Sequence, residues 1–132
     1  MSEPSIQAWP PAQDCVLINM TDHVISILSG DEIIEIPQSG SVLRVDWAPI
    51  ELTYVRYGGR SIEIITDGVI RGVRNLPPPV ENTYYLASYS AADYCNNVLQ
   101  RHDVLCPATA KKDMPLRDAV GDVRAVRRLR RK

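Results

Sequence analysis

Residues 51–73 run ELTYVRY, then Gly58-Gly59, then RSIEIIT, then Asp67-Gly68, then VIRGV. The runs Glu51–Tyr57 and Arg60–Thr66 are rich in β-branched and aromatic residues and alternate in polarity. Two glycines between such runs mark a tight hairpin, because both turn positions need φ > 0. Asp67-Gly68 repeats the signal before Val69–Val73. The stretch Ile50–Val73 therefore predicts a three-stranded meander and, with it, a β-rich fold.

The flanking sequence extends this reading. Upstream, Cys15–Asn19, Val24–Leu28 and Glu32–Ile36 are short β-biased runs separated by turn residues, including Ser29-Gly30-Asp31. In Ser41–Trp47, Val42, Arg44 and Asp46 alternate with Leu43, Val45 and Trp47, giving one apolar face. Downstream, Pro77-Pro78-Pro79 ends the meander, since prolines supply no ladder N–H. Thr83–Ala87 reads as a central apolar strand. The best helix follows at about 91–101, with Ser90 as N-cap and Ala91, Cys95, Val98 and Leu99 on one face. Near the C-terminus, Gly121 sits where a turn is needed, so Arg117–Val120 and Val123–Leu129 read as a hairpin. The alternative is a short helix with Val123, Val126 and Leu129 on one side.

The expected fold is thus α+β and β-rich. Six to nine strands would form one curved antiparallel sheet or a partly open small barrel, with one main helix packed on it. At 132 residues the chain suits one domain that needs neither metal nor disulfides to hold its core. Residues 1–13, with three prolines and Trp9, read as an N-terminal arm whose Trp docks on the domain or on a partner. Residues 14–123 form the globular domain, and residues 124–132 a basic C-terminal strand or tail.

Charge is divided along the chain. Residues 1–110 hold 6 basic and 13 acidic side chains, a net of −7; residues 111–132 hold 9 basic and 3 acidic, a net of +6. Arg124, Arg127, Arg128, Arg130, Arg131 and Lys132 place six cations in nine residues. Such a cluster can neutralise phosphates or another acidic partner, solvate the chain end, or dock back on the acidic body. No aromatic residue interleaves with it, which argues against single-strand stacking there. No apolar run approaches the roughly 18–20 residues of a membrane span, and no signal-peptide pattern opens the chain. Three widely spaced cysteines, Cys15, Cys95 and Cys106, fit a reducing compartment better than a disulfide scaffold. The bacterial cytoplasm is the expected location, with no membrane partner.

No complete catalytic motif is present, and a non-enzymatic role is expected. Cys95, His102 and Cys106 lack the tight pair typical of zinc sites, so no metal is expected. Gly58-Gly59 lacks the Lys-Ser/Thr of a phosphate loop, and no cofactor is expected. Ser88 lies in no nucleophile elbow and is better explained as a helix cap. A helix N-terminus near Ser88–Ser90 does favour anions. On motif position and chemistry, Thr21, His23, Arg44, Ser88, Arg101 and Asp103 are the candidate lining of a ligand pocket.

The chain also resembles a family of small proteins from bacteriophages, prophages and actinobacteria. Ile18-Asn19-Met20-Thr21-Asp22-His23 is similar to the family's INLTPH opening, and Pro37-Gln38-Ser39-Gly40-Ser41-Val42-Leu43-Arg44-Val45 to its PPSGxxARV segment. Gly68–Pro79 is a looser match to GEVxGLPxP, and Tyr85-Leu86-Ala87-Ser88 resembles YIVS. Arg101–Pro107 resembles RxDLxxP, and Leu116–Leu129 resembles VRDxxGxIVGVRRL. Asp22 stands where the family has Pro, and Asn75 where it has Gly. The resemblance implies a phage or prophage origin, a mixed β-rich domain, and a hairpin near the C-terminus. It implies no particular activity.

Together these readings predict a phage or prophage accessory binding protein. The leading expectation is contact with a host or phage protein, in a host-takeover or anti-defence role. The alternatives are nucleic-acid binding through the basic C-terminus and sequestration of a small phosphorylated ligand such as a nucleotide signal. Oligomeric state is left open.

Overall fold

The computed structural model describes residues 4–7 and 14–132. Residues 4–7 have no regular secondary structure, and the rest of the expected arm, with Trp9, lies outside the described residues. The fold is α+β and β-rich. Among the described residues the strands are β1 (Val16–Asn19), β2 (Ile25–Ser29), β3 (Glu32–Ile36), β4 (Arg44–Trp47), β5 (Glu51–Tyr57) and β6 (Arg60–Thr66). They continue with β7 (Ile70–Arg74), β8 (Thr83–Leu86), β9 (Val104–Pro107), β10 (Leu116–Arg117), β11 (Val123–Ala125) and β12 (Leu129–Arg130). The helix α1 spans Tyr89–Asn97.

The Gly58-Gly59 hairpin forms as its turn chemistry dictates. Both glycines have positive φ, and β5 pairs with β6 from Glu51↔Thr66 to Tyr57↔Arg60. The third strand of the expected meander does not join them. β7 pairs instead with β4, from Arg44↔Arg74 to Trp47↔Ile70. The reason lies at Gly68, whose φ is not positive. A Cβ there would sit 2.6 Å from the Ala48 carbonyl oxygen. Glycine at this position permits close approach rather than a turn. The Ala48 N–H then donates to the Val69 carbonyl at 2.7 Å, drawing the chain onto β4.

One curved antiparallel sheet or partial barrel is likewise not what the strands build. They form a four-stranded sheet in the order β1-β8-β9-β12 and four two-stranded ladders: β2-β3, β4-β7, β5-β6 and β10-β11. The β1-β8 and β8-β9 pairs are parallel, and β9-β12 is antiparallel. Parallel neighbours need a crossover connection, and α1 supplies it between β8 and β9. Thr83–Leu86 is thus interior, as its apolar run predicts.

The helix begins and ends earlier than its apolar spacing suggests. Ser88, not Ser90, is the N-cap; its side chain accepts the Ala91 N–H. Gln100 adopts φ 60, so the segment expected to continue as helix turns left-handed there. Asn75, where the resembled family has Gly, also takes a left-handed conformation, at φ 72. Asn is among the few non-glycine residues that tolerate this region, and here its side-chain amide donates to the Val42 carbonyl at 2.9 Å.

Alternation along β8 divides the core. Tyr85 and the following Ala87 pack with Ala91, Ala92 and Cys95 of α1 and with Met20, Leu43, Val104 and Cys106. Leu86 points the other way, against Ile25 and Ile36 of the β2-β3 hairpin, with Leu17, Ile27, Leu105 and Leu129 around them. The four-stranded sheet is therefore covered by the helix on one face and a hairpin on the other, a two-sided burial that suits parallel strands.

The C-terminal hairpin forms through β10 and β11, and the chain then adds β12 as an edge of the main sheet. The hairpin reading of this segment thus holds over the helical one.

Candidate functional site

The site is built outward from the end of β1. Asn19 is buried there, and its side chain holds the following loop. Its amide donates to the His23 carbonyl at 2.8 Å and to the Ile36 carbonyl at 3.0 Å. Its Oδ1 accepts the Thr21 N–H at 2.9 Å and lies 2.6 Å from the Thr21 hydroxyl. The loop is tied inward by the Leu43 N–H, which donates to the Met20 carbonyl at 3.0 Å. This contact sets the start of β4, and hence Arg44, beside Thr21 and His23.

Two further elements close the site. β11 runs beside β2 through an Ile27↔Val126 bridge, with Val126 N–H to Ser26 carbonyl at 2.9 Å and Leu28 N–H to Val126 carbonyl at 2.8 Å. That pairing brings Arg124 to the same face. Ser88 and Tyr89 arrive at the start of α1. Between these segments lies a cleft of about 550 Å³. Met20, Leu43, Ala87, Cys106, Ala125 and Val126 supply its buried apolar surface. Thr21, Asp22, His23, Arg44, Ser88, Tyr89, Thr109 and Arg124 supply its polar and aromatic lining. The volume falls within the range of small-molecule sites.

Four of the six residues singled out from sequence, Thr21, His23, Arg44 and Ser88, therefore line one cleft. Arg101 and Asp103 do not. They pair with each other through two hydrogen bonds of 2.9 and 2.8 Å, and Arg101 also donates to the Pro77 carbonyl at 2.9 Å. The pair braces the proline loop against the turn that leads into β9. The Asp103 hydrogen bond is the main reason the Arg101 guanidinium is held even more firmly charged than usual.

Of the C-terminal cations only Arg124 reaches the cleft. Arg127 donates to the Met114 carbonyl at 2.6 Å and Arg131 to the His102 carbonyl at 2.8 Å. Arg130 donates to the buried Asp113 carboxylate, and Arg128 approaches the same oxygen at 3.9 Å. Lys132 places its ammonium 4.9 Å from the Tyr89 ring centroid, and its carbonyl accepts the Asn96 amide at 2.9 Å. The basic segment is docked on the body.

Electrostatics in the cleft follow from these placements. Arg44 and Arg124 form no ion pair among the described residues. Asp22 lies 3.1 Å from His23 Nδ1, and this hydrogen bond is the main reason its carboxyl is held below the usual range. Burial pushes the Cys106 thiol up, away from thiolate. Burial does the same to Cys95 in the core. Among the described residues no three His, Cys, Asp or Glu side chains gather into a metal-binding group, and no helix is long and apolar enough to cross a membrane.

Sequence reading missed Asn19, Tyr89, Cys106 and Arg124 as parts of one site. Asn19 carried a faint signal, a polar residue closing an apolar strand just before Thr21. Nothing local placed Arg124 beside Arg44, because the β11-β2 contact joins distant segments. Comparisons of the chain with models of protein families, with curated proteins and with solved structures gave no match.

Proposed function

We propose that this protein is a non-enzymatic binding protein whose cleft captures a small anionic ligand with an apolar or aromatic body, of which a nucleotide is the simplest example. The observation that carries the reading is the convergence of Arg44 and Arg124, neither in an ion pair among the described residues, over the apolar floor of a cleft of about 550 Å³. Guanidinium groups suit phosphate and carboxylate oxygens because their donors form a planar fork. Thr21, His23 and Ser88 add polar atoms at the same wall, and Tyr89 offers a ring at the rim.

Binding is preferred to turnover on the chemistry of the lining. Burial pushes the Cys106 thiol on the cleft floor up, which works against an activated nucleophile. The Ser88 hydroxyl is engaged in capping α1. In the phage-infected cell that the sequence resemblance implies, such a protein would lower the free concentration of a phosphorylated signal without altering it. Nucleic-acid binding through the C-terminus has less support, since most of those cations are engaged by the body. The host-protein reading draws less from the charge division for the same reason.

The test is a thermal-shift and calorimetric panel of mono-, di- and cyclic nucleotides. A ligand that binds only the native state must stabilise it. A binder should lose roughly tenfold to a hundredfold in affinity in Arg44→Ala and in Arg124→Ala, and change little in Arg56→Ala at the distant hairpin. No shift with any member of the panel, or equal binding by all three variants, would reject the reading.

A further inference from the structure

Among the described residues the β5-β6 hairpin has no partner strand outside itself. Each strand pairs only with the other, and all fourteen of their residues are exposed. An isolated two-stranded ribbon is marginal in water, and exposed apolar surface of this kind marks an interaction site.

The register sorts the side chains onto two faces. One face carries Val55, Tyr57, Ile62 and Ile64, with Thr53 and Thr66 beside them, between Glu51 at the base and Arg60 at the tip. The opposite face mixes Leu52, Tyr54 and Ile65 with Arg56, Ser61 and Glu63. On the first face the four apolar side chains are between 43% and 80% exposed, with an acid at one end and a base at the other.

The geometry points to a second copy of this chain as the occupant of that face. Two hairpins stacked face to face and antiparallel bring the Arg60 tip of each to the Glu51–Thr66 base of the other, with Val55, Tyr57, Ile62 and Ile64 of both enclosed between them. The arrangement is self-complementary, as a two-fold interface requires. A parallel stack would oppose Arg60 to Arg60 and Glu51 to Glu51. The charge order along the ribbon therefore favours the antiparallel arrangement, and opposite charges at the interface ends set its register.

Sedimentation velocity of the full chain tests this. The wild type should be a dimer that dissociates on dilution. Glu51→Arg and Arg60→Glu should each weaken association by roughly tenfold or more, and the double exchange should restore it, because it rebuilds the pair with the signs swapped. Ile62→Glu should give a monomer that keeps the cooperative thermal melt of the rest of the fold, since the hairpin shares no strand pairing with it. A wild type that stays monomeric at every concentration would overturn the proposal and leave the face to an unlike protein. A dimer indifferent to Ile62→Glu, or a double exchange no better than the single ones, would overturn it equally.

Discussion

Asn19 and Thr21 form a closed hydrogen-bonded pair at the root of the cleft: Asn19 Oδ1 accepts the Thr21 N–H at 2.9 Å and lies 2.6 Å from the Thr21 hydroxyl. The Asn19 amide meanwhile satisfies two carbonyls, those of His23 and Ile36. One buried side chain thereby fixes the loop that presents Thr21 and His23 and ties it to the β2-β3 hairpin.

Asn19→Ala should destabilise the fold by about 1–3 kcal/mol, because it strands buried polar groups rather than merely removing a contact. Asn19→Asp should be no milder, since a carboxylate oxygen replaces the amide that faces two carbonyls. Urea unfolding of the two variants checks this. Wild-type stability in either would mean that the loop does not depend on Asn19.

Gly68→Ala should cost about 1–3 kcal/mol, the usual range for forcing extra volume into a filled site. The added methyl meets the Ala48 carbonyl oxygen at 2.6 Å, and backbone cannot swing away as a flexible side chain would. Gly72→Ala on the neighbouring strand is the control, because nothing lies within 4 Å of a Cβ there. Equal melting temperatures for the two variants would contradict the close-approach account of why β7 leaves β6 for β4.

Asp113 should make stability fall in acid. Its carboxyl is buried, and the hydrogen bond from Arg130 is the main reason it is held below its ordinary value. A folded-state pKa below the unfolded one means that the unfolded chain binds the extra proton. The contribution is therefore full above the unfolded value, about 3.9, and is lost as pH falls through the lower folded value. Asp113→Asn should be less stable than wild type at neutral pH, with the gap narrowing as the solution is acidified below about pH 4. Thermal melts across that range read it directly. A gap that stays constant or widens in acid would show that the carboxylate charge is not what holds β12 in place.

Much of the local structure was legible in the chain. Glu51–Thr66 announced its hairpin through Gly58-Gly59, and Thr83–Leu86 announced an interior strand through its apolar run. Ser88 was recognisable as a helix cap, though Ser90 was equally good on type alone. Residue type cannot say which of two serines has extended backbone, and at Ser88 the ψ of 161 decides it. Of the candidate cleft residues, Thr21, His23 and Arg44 fell near one another because the chain between them is short and turns twice. Arg101 and Asp103 were drawn away because a half-buried Arg and Asp two residues apart satisfy each other.

Local pattern was enough to locate most of the strands and the Gly58-Gly59 turn, because alternation and glycine or proline conformations act within a few residues; it misread Asp67-Gly68, where close approach to Ala48 and not a turn calls for glycine. The sequence by itself also determined that the terminal segment would be cationic. Tertiary structure alone decided which strands pair: β1 with β8, β4 with β7 and β12 with β9 join segments that share no local signal. It alone decided that the terminal cations dock on Asp113, His102 and Tyr89 while Arg124 turns to the cleft. Pairing and burial are settled by the total free energy of the packed chain, and no window of neighbouring residues contains that sum.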